Sequence, residues 1–447
     1  MKRITPLSTF IMKMLLLLAA AACLLAACGD ARQPADPGLD KLLNVSGAAP
    51  GEAGVHKTVL RLWSFHQAKE FEFWQSLAQQ YEKLHPNVEI KVEYVSSDDY
   101  FTSNRLLASF ASGQGPDIFF VSSPMIKRLA DVHMLLPLTD YFTPEMKNDF
   151  YPSALSSVTL YNNIYAIPIE TELLGLFYNK QMFQRHQLPP PATWDDMMAA
   201  AKELKTPKVS GLTIETFSGV YQNYSWLPFL WQTGADLLSE DGKSSGLAGG
   251  KGAAMYTFFR SMVDQGLINM QPSRPATDIG ILAAGETAMQ VSGTWNIRML
   301  ETEYAEQPIG VVPLPTPPGA KPLTIAGGWK IAVNSRSEHT DEAVKFIMWA
   351  FAGDTAIPLK WCSDVKFAYS PRKSVMEAGA NYYRRGLRSV FTDDIYGTER
   401  MEPQFPESLN RIFSQSLQSL LYSNASGEQI ARWADENIAD FLSKIQK

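Results

Sequence analysis

The chain has 447 residues, 45% of them hydrophobic and 19% charged, with a formal charge of −6. That length suits two or three domains around a substantial core. The acidic balance makes nucleic acid and anionic lipid headgroups poor partners.

Lys2, Arg3 and Lys13 precede the apolar run Met14–Leu18, and small residues continue to Cys28. This is a charged n-region, a short h-region and a small-residue processing site, too short to favour a transmembrane helix. Leu25-Ala26-Ala27-Cys28 has the form of a bacterial lipobox, so a signal peptide is expected over 1–27 and lipidation (diacylglyceryl, palmitate) at Cys28. Cys23 fits less well, because Ala20 stands where a leucine is preferred. Removing residues 1–27 takes away three cations and no acid, which deepens the formal charge from −6 to −9. Cys362 is then the lone cysteine without lipid, and no intrachain disulfide is expected.

Residues 28–56, rich in Gly, Ala, Pro and Asp, read as a flexible tether. A strand is predicted over Thr58–Ser64, and Phe71, Trp74, Leu77, Ala78, Tyr81 and Leu84 recur at helical spacing. After Pro86-Asn87, the alternation of Val88, Ile90, Val92 and Tyr94 predicts a second strand. A helix around 102–111 leads to Gly113-Gln114-Gly115-Pro116, a turn, and then to the continuous apolar strand Ile118–Val121. The β-α-β-α-β order argues for a largely parallel sheet. Such a strand delivers Ser122 and Ser123 to its carboxyl end, the edge at which α/β sheets hold ligands.

Met125–Ala130 reads as a helix, Asn163–Pro168 as a turn and strand, and Leu173–Tyr178 as another strand. Thr193 is placed to cap a helix, with Asp196 at its third position. Asp241-Gly242 suggests a hairpin tip, and residues 251–265 and 278–284 read as helices. Extended segments are expected over Gly310–Pro315 and Gly327–Val333. Thr340 is placed as the cap of a helix to about Ala352. Two helices close the chain, over 406–422 and 427–445, the second with Ile430, Trp433, Ala434, Ile438, Phe441 and Leu442 in one stripe.

Catalytic signals are weak. The six histidines are scattered, there is no zinc or calcium spacing, and no Gly-x-Ser-x-Gly elbow occurs. Neither a metal nor a cofactor is expected. Glu170 and Glu172 stand two apart on one strand face, so they suit hydroxyl recognition better than the flanking carboxylates of a glycosidase. Aromatics, by contrast, stand at the ends of predicted strands: Trp63, Trp226, Trp295, Trp329 and Tyr369. Sugar rings offer C–H faces to such rings and hydroxyl rims to Glu, Ser and Asn. Trp74, at helical spacing with Phe71 and Leu77, reads as core.

With these motifs the chain resembles the extracellular solute-binding proteins of ABC importers, in the branch that includes the maltodextrin and oligosaccharide receptors. The resemblance rests on an ordered set: the lipobox, Leu60-Arg61-Leu62-Trp63, Pro86-Asn87-Val88-Glu89-Ile90, Gly115-Pro116-Asp117-Ile118 and Leu176-Phe177-Tyr178-Asn179-Lys180. It continues through Gly285-Glu286-Thr287-Ala288-Met289, Gly293-x-Trp295, Val312-Pro313-Leu314-Pro315, Gly327-Gly328 and Tyr369-Ser370-Pro371-Arg372.

The resemblance implies a periplasmic-binding-protein-like type II fold: two α/β lobes with a hinge and a ligand cleft between them. Lobe 1 is expected over 57–167 and 316–353, and lobe 2 over 168–315 and 354–447. Glu172, with Glu170 nearby, matches an acidic ligand contact. Trp295 matches a stacking residue after a Gly-Glu-Thr-Ala-Met helix. Trp63, Tyr224 and Trp226 fall in ligand-facing segments, and Gly328, Trp329, Tyr369 and Arg372 complete the expected binding set with Ser122 and Ser123. The maltodextrin-type acidic-basic pair is replaced by Pro124 and Met125. The implied protein is a lipid-anchored monomer on the extracytoplasmic face of a bacterial membrane, delivering a saccharide to permease subunits. A cell-surface saccharide-acting enzyme and a sensor subunit for a kinase are the alternatives.

Overall fold

Residues 57–101 and 105–445 are described by the computed structural model, with the side chains of Asp98 and Phe101 set aside. The signal peptide, Cys28 and the tether lie outside the described residues.

Strand β1 (Thr58–Ser64) leads into helix α1 (Ala68–Leu84), whose Phe73, Trp74, Leu77, Ala78 and Tyr81 face inward at helical spacing. Strand β2 (Val88–Tyr94) returns parallel to β1, in register from Thr58↔Val88 to Ser64↔Tyr94. Strand β3 (Ile118–Val121) is buried throughout and lies parallel on the other side of β1. Helix α2 (Ser123–Asp131) starts directly after it, with Pro124 in its first turn, where proline needs no hydrogen-bond partner.

Apart from the short antiparallel pair Thr159–Leu160 and Asn163–Ile164, the strands that follow are β4 (Ile167–Pro168), β5 (Leu174–Asn179), β6 (Ser210–Thr213), β7 (Thr287–Gly293), β8 (Ile309–Val312), β9 (Thr324–Ala326), β10 (Lys330–Val333) and β11 (Glu399–Met401). The principal helices after α2 are α3 (Trp194–Leu204), α4 (Val220–Gln232), α5 (Ala253–Asp264), α6 (Thr340–Phe351), α7 (Glu407–Tyr422) and α8 (Gly427–Ile445).

One sheet has the order β2-β1-β3-β10-β4. It is mixed rather than largely parallel, because β10 runs antiparallel to both β3 and β4. The chain reaches β10 only after building a second sheet, of order β8-β5-β7-β6, and so enters the first from the opposite end. In the second sheet only β6 and β7 run parallel.

The apolar cores divide the same way. One gathers buried side chains from 60–169 and 331–365. The others cover the two faces of the second sheet, with side chains from 173–326 and 367–442. The first core resumes at Ile331, after β9, which is fastened to β11. Trp361, Cys362 and Val365 also pack into the first core.

Thr193 and Asp196 exchange hydrogen bonds with each other's backbone N–H at 3.1 and 3.0 Å, the expected capping box. Thr340 is instead the first residue of α6, and His339 takes the cap position without a side-chain bond. Thr287-Ala288-Met289 opens a buried strand, not a helix: the short helix Gly280–Ala283 ends at Gly285, whose φ of +73° turns the chain. No helix among the described residues is long and apolar enough to cross a membrane.

Candidate functional site

A cavity of about 580 Å³ lies between elements of the two cores. One wall is aliphatic. Leu106 and Leu107 come from the helix Arg105–Ala111, and α2 adds Pro124, Met125 and Leu129, with Arg128 as its charge. The opposite wall is polar and comes largely from α7. Glu407, Asn410, Arg411, Ser414 and Gln415 recur at helical spacing on its cavity face. Leu409, Phe413, Leu417, Leu420 and Leu421 occupy the other face and fill the second core. One amphipathic helix thus anchors the wall and presents its hydrogen-bonding groups.

The start of α4 adds Val220, Asn223 and Tyr224. Asn223 donates through Nδ2 to the carbonyl of Asn410 at 2.9 Å, which fixes the amide's orientation. Its Oδ1 is buried and has no partner. A buried acceptor on a cavity wall is completed by a donor on a ligand, and a hydroxyl supplies one.

Beside the cavity, where the chain passes between the cores, a buried charge network forms. Lys366 Nζ stands 3.1 Å from Glu170 Oε1 and 2.7 Å from Glu172 Oε1, the second an ion pair more than a well-aimed hydrogen bond. Glu170 also accepts from the Trp361 indole at 2.7 Å and from the Trp329 backbone N–H at 3.1 Å. Burial lifts the Glu172 carboxyl to about 7 against the pull of Lys366. Burial opposes the charge of Lys366, yet the surrounding carboxylates hold its ammonium well above the ordinary range.

Glu402 joins this network to the cavity, whose wall it helps to form. Its carboxylate accepts from the N–H and the hydroxyl of Ser123, at the start of α2, and burial pushes it up to about 7. Lys330 donates to the Ser123 hydroxyl at 2.9 Å and to the Gly328 carbonyl at 2.7 Å.

Of the residues singled out from sequence, Tyr224 lines the cavity, with its hydroxyl tied to the Glu172 carbonyl at 2.9 Å. Ser123 is buried beside it, and the Ser122 hydroxyl is buried without a partner. Glu170 and Glu172 face Lys366 instead of the cavity. Gly328, with φ at +101°, lets its backbone meet Glu170 where an added Cβ would fall 2.7 Å from the Glu170 carbonyl. Trp329 is half-buried and leans on Phe65, ring centres 4.5 Å apart.

The other candidates are placed elsewhere. Trp226 is fully buried in the second core, its indole donating to the Glu215 carbonyl at 2.8 Å. Trp63 is buried against Glu93, to which it donates at 2.8 Å. Tyr369 is fully buried among Phe367, Tyr383 and Tyr396. Arg372 pairs with Asp149 at 2.7 Å and donates to the Phe351 and Gly353 carbonyls, closing the C-terminal end of α6. Trp295 is half-buried and folds back over Gly293, where any Cβ would collide with the indole. Its Nε1 donates to the Thr277 carbonyl at 3.1 Å, and its edge meets Tyr221. The polar face of α7 escaped sequence reading because its spacing is also that of a helix with one solvated side. Among the described residues, no cluster of three or more His, Cys, Asp or Glu could hold a metal.

Residues 66–355 match the family model described as bacterial extracellular solute-binding protein. A Brucella abortus (strain 2308) protein, named only as a binding protein, is 24% identical over 421 residues, 91% of this chain and 97% of the relative. The maltotriose-binding protein of Pyrococcus abyssi is 26% identical over 314 residues, 67% of this chain and 63% of the relative. Among solved structures, the GacH receptor of Streptomyces glaucescens, known unliganded and with acarbose, superposes with a TM-score of 0.75 at 21% identity. That match covers 87% of this chain and 99% of the other. An ABC transporter solute binding protein from Thermotoga lettingae, bound with α-D-tagatose, gives 0.76 at 21% identity over 86% of this chain and 100% of the other. These likenesses show the two-lobed periplasmic-binding-protein fold. The match over 66–355 shows that the chain belongs to the family of bacterial extracellular solute-binding proteins.

Proposed function

We propose that the chain captures a saccharide, an oligosaccharide in particular, in the cavity between its lobes and delivers it to the permease of an ABC importer. The observation that carries this reading is the cavity's pairing of a polar face on α7 with the buried, unpartnered Asn223 Oδ1. A hydroxyl-rich solute answers both. The relatives named for maltotriose, acarbose and tagatose support the class. The ligand contacts are Tyr224, Asn223, Asn410, Arg411 and Met125. The lobes comprise 57–169 with 331–365 and 173–326 with 367–445, joined by three passages. The chain acts as a monomer without catalysis, and diacylated Cys28 holds it at the extracytoplasmic membrane surface.

Native mass spectrometry of freshly purified protein should show a carried-over saccharide, and calorimetric titration should return that sugar unchanged. Cleaved products would favour the enzyme alternative, and binding without any transport defect on deletion would favour the sensor. Cys28→Ala should release the chain from membranes, and unchanged retention would remove the anchor.

A further inference from the structure

We infer that Phe217 is the aromatic platform of the saccharide site, so that the ligand extends out of the cavity across the Phe217–Val220 rim. This rests on the saccharide reading above. Phe217 is 60% exposed and Val220 43% exposed. Between them stand Ser218 and Gly219, which line the cavity together with Val220.

The loop is built rather than loose. The Phe217 N–H donates to Glu215 Oε1 at 2.9 Å, and Glu215 is itself buried. The Glu215 carbonyl is held by the indole of Trp226 at 2.8 Å. Next along the chain, the Ser218 and Ser414 hydroxyls bond at 2.7 Å. An exposed ring is therefore fastened at one residue's remove to the polar face of α7.

Among the described residues, the aromatics lining the cavity are Tyr100 and Tyr224, both buried and both with hydroxyls bonded to backbone carbonyls. A pyranose presents a C–H face and a hydroxyl rim to its binder. The exposed ring of Phe217 offers a surface for the first, and Asn410, Arg411 and Ser414 on the cavity wall offer groups for the second. Because Phe217 adjoins the lining residue Ser218 without itself lining the cavity, a single sugar held there leaves the ring uncovered, and a second or third unit covers it.

The test uses the full chain on a printed array of mono- to hexasaccharides, followed by calorimetric titration with the tightest binder and its constituent monosaccharide. Phe217→Ala should weaken the oligosaccharide about two- to tenfold while leaving monosaccharide affinity and melting temperature unchanged. Phe217→Trp should keep wild-type affinity. Unchanged oligosaccharide binding in Phe217→Ala, or equal losses in the Ala and Trp variants, overturns the assignment and leaves saccharide binding standing. Wild-type protein that binds nothing on the array overturns both.

Discussion

Replacing Lys366 by methionine keeps the length and apolar stem of the side chain and removes the ammonium that faces Glu170 and Glu172 at 3.1 and 2.7 Å. All three residues are buried. Removing one partner of such a pair costs about 3–5 kcal/mol, because the charges left behind are neither hydrated nor neutralised. Residues 57–445 fall within one compact unit. At about 2 cal/mol/K per residue, its melting entropy turns that loss into a fall of about 4–6 °C in Tm. Acid should relieve part of the loss, since burial already holds the Glu172 carboxyl near 7 and protonation discharges it. Scanning calorimetry of wild type and Lys366→Met at pH 8 and pH 5.5 reads both effects. The deficit should be full at pH 8 and clearly smaller at pH 5.5, and adding Glu172→Gln should recover part of it. A deficit of under about 1 °C at pH 8, or one independent of pH, would refute the network as the source of stability.

Trp226→Ala should lower stability by about 3–5 kcal/mol through the cavity it opens in the second core, and normal melting would contradict its packing. Glu402 carries its own pH signature. Its folded pKa of about 7 lies above the ordinary 4.5, so its contribution to stability is complete below about 4.5 and lost as pH rises to about 7. Glu402→Gln cannot titrate, so its Tm should gain on wild type between pH 5 and pH 8, and a constant difference would argue against burial as the cause. Thr193→Ala should cost about 1 kcal/mol by opening the capping box of α3, as urea unfolding would show, and no loss would make the box dispensable.

Local rules made much of the secondary structure legible. The spacing of Trp74, Leu77 and Tyr81 specifies which face of α1 is buried, and the Thr193/Asp196 pair marks the start of α3, because both depend on residues within a turn or two. Ile118–Val121 reads as a fully buried strand for the same reason, being apolar without interruption. The ordered motifs along the chain carry the family, which the match over 66–355 shows.

What the tertiary structure alone decided is where each side chain ends up once distant segments meet. Trp226 and Tyr369 have the composition of sugar-stacking residues and lie in cores, since an indole or phenol is equally suited to a packed interior and a cleft. Glu170 and Glu172 look like ligand acids until Lys366, nearly 200 residues on, comes between them. The stripe Glu407, Asn410, Arg411, Ser414 and Gln415 reads as a solvated helix face until α2 and the helix Arg105–Ala111 close over it from the other core. Helical and strand periodicity report that a face is polar. Whether that face meets bulk water or a cavity depends on contacts across hundreds of residues, which no local pattern encodes.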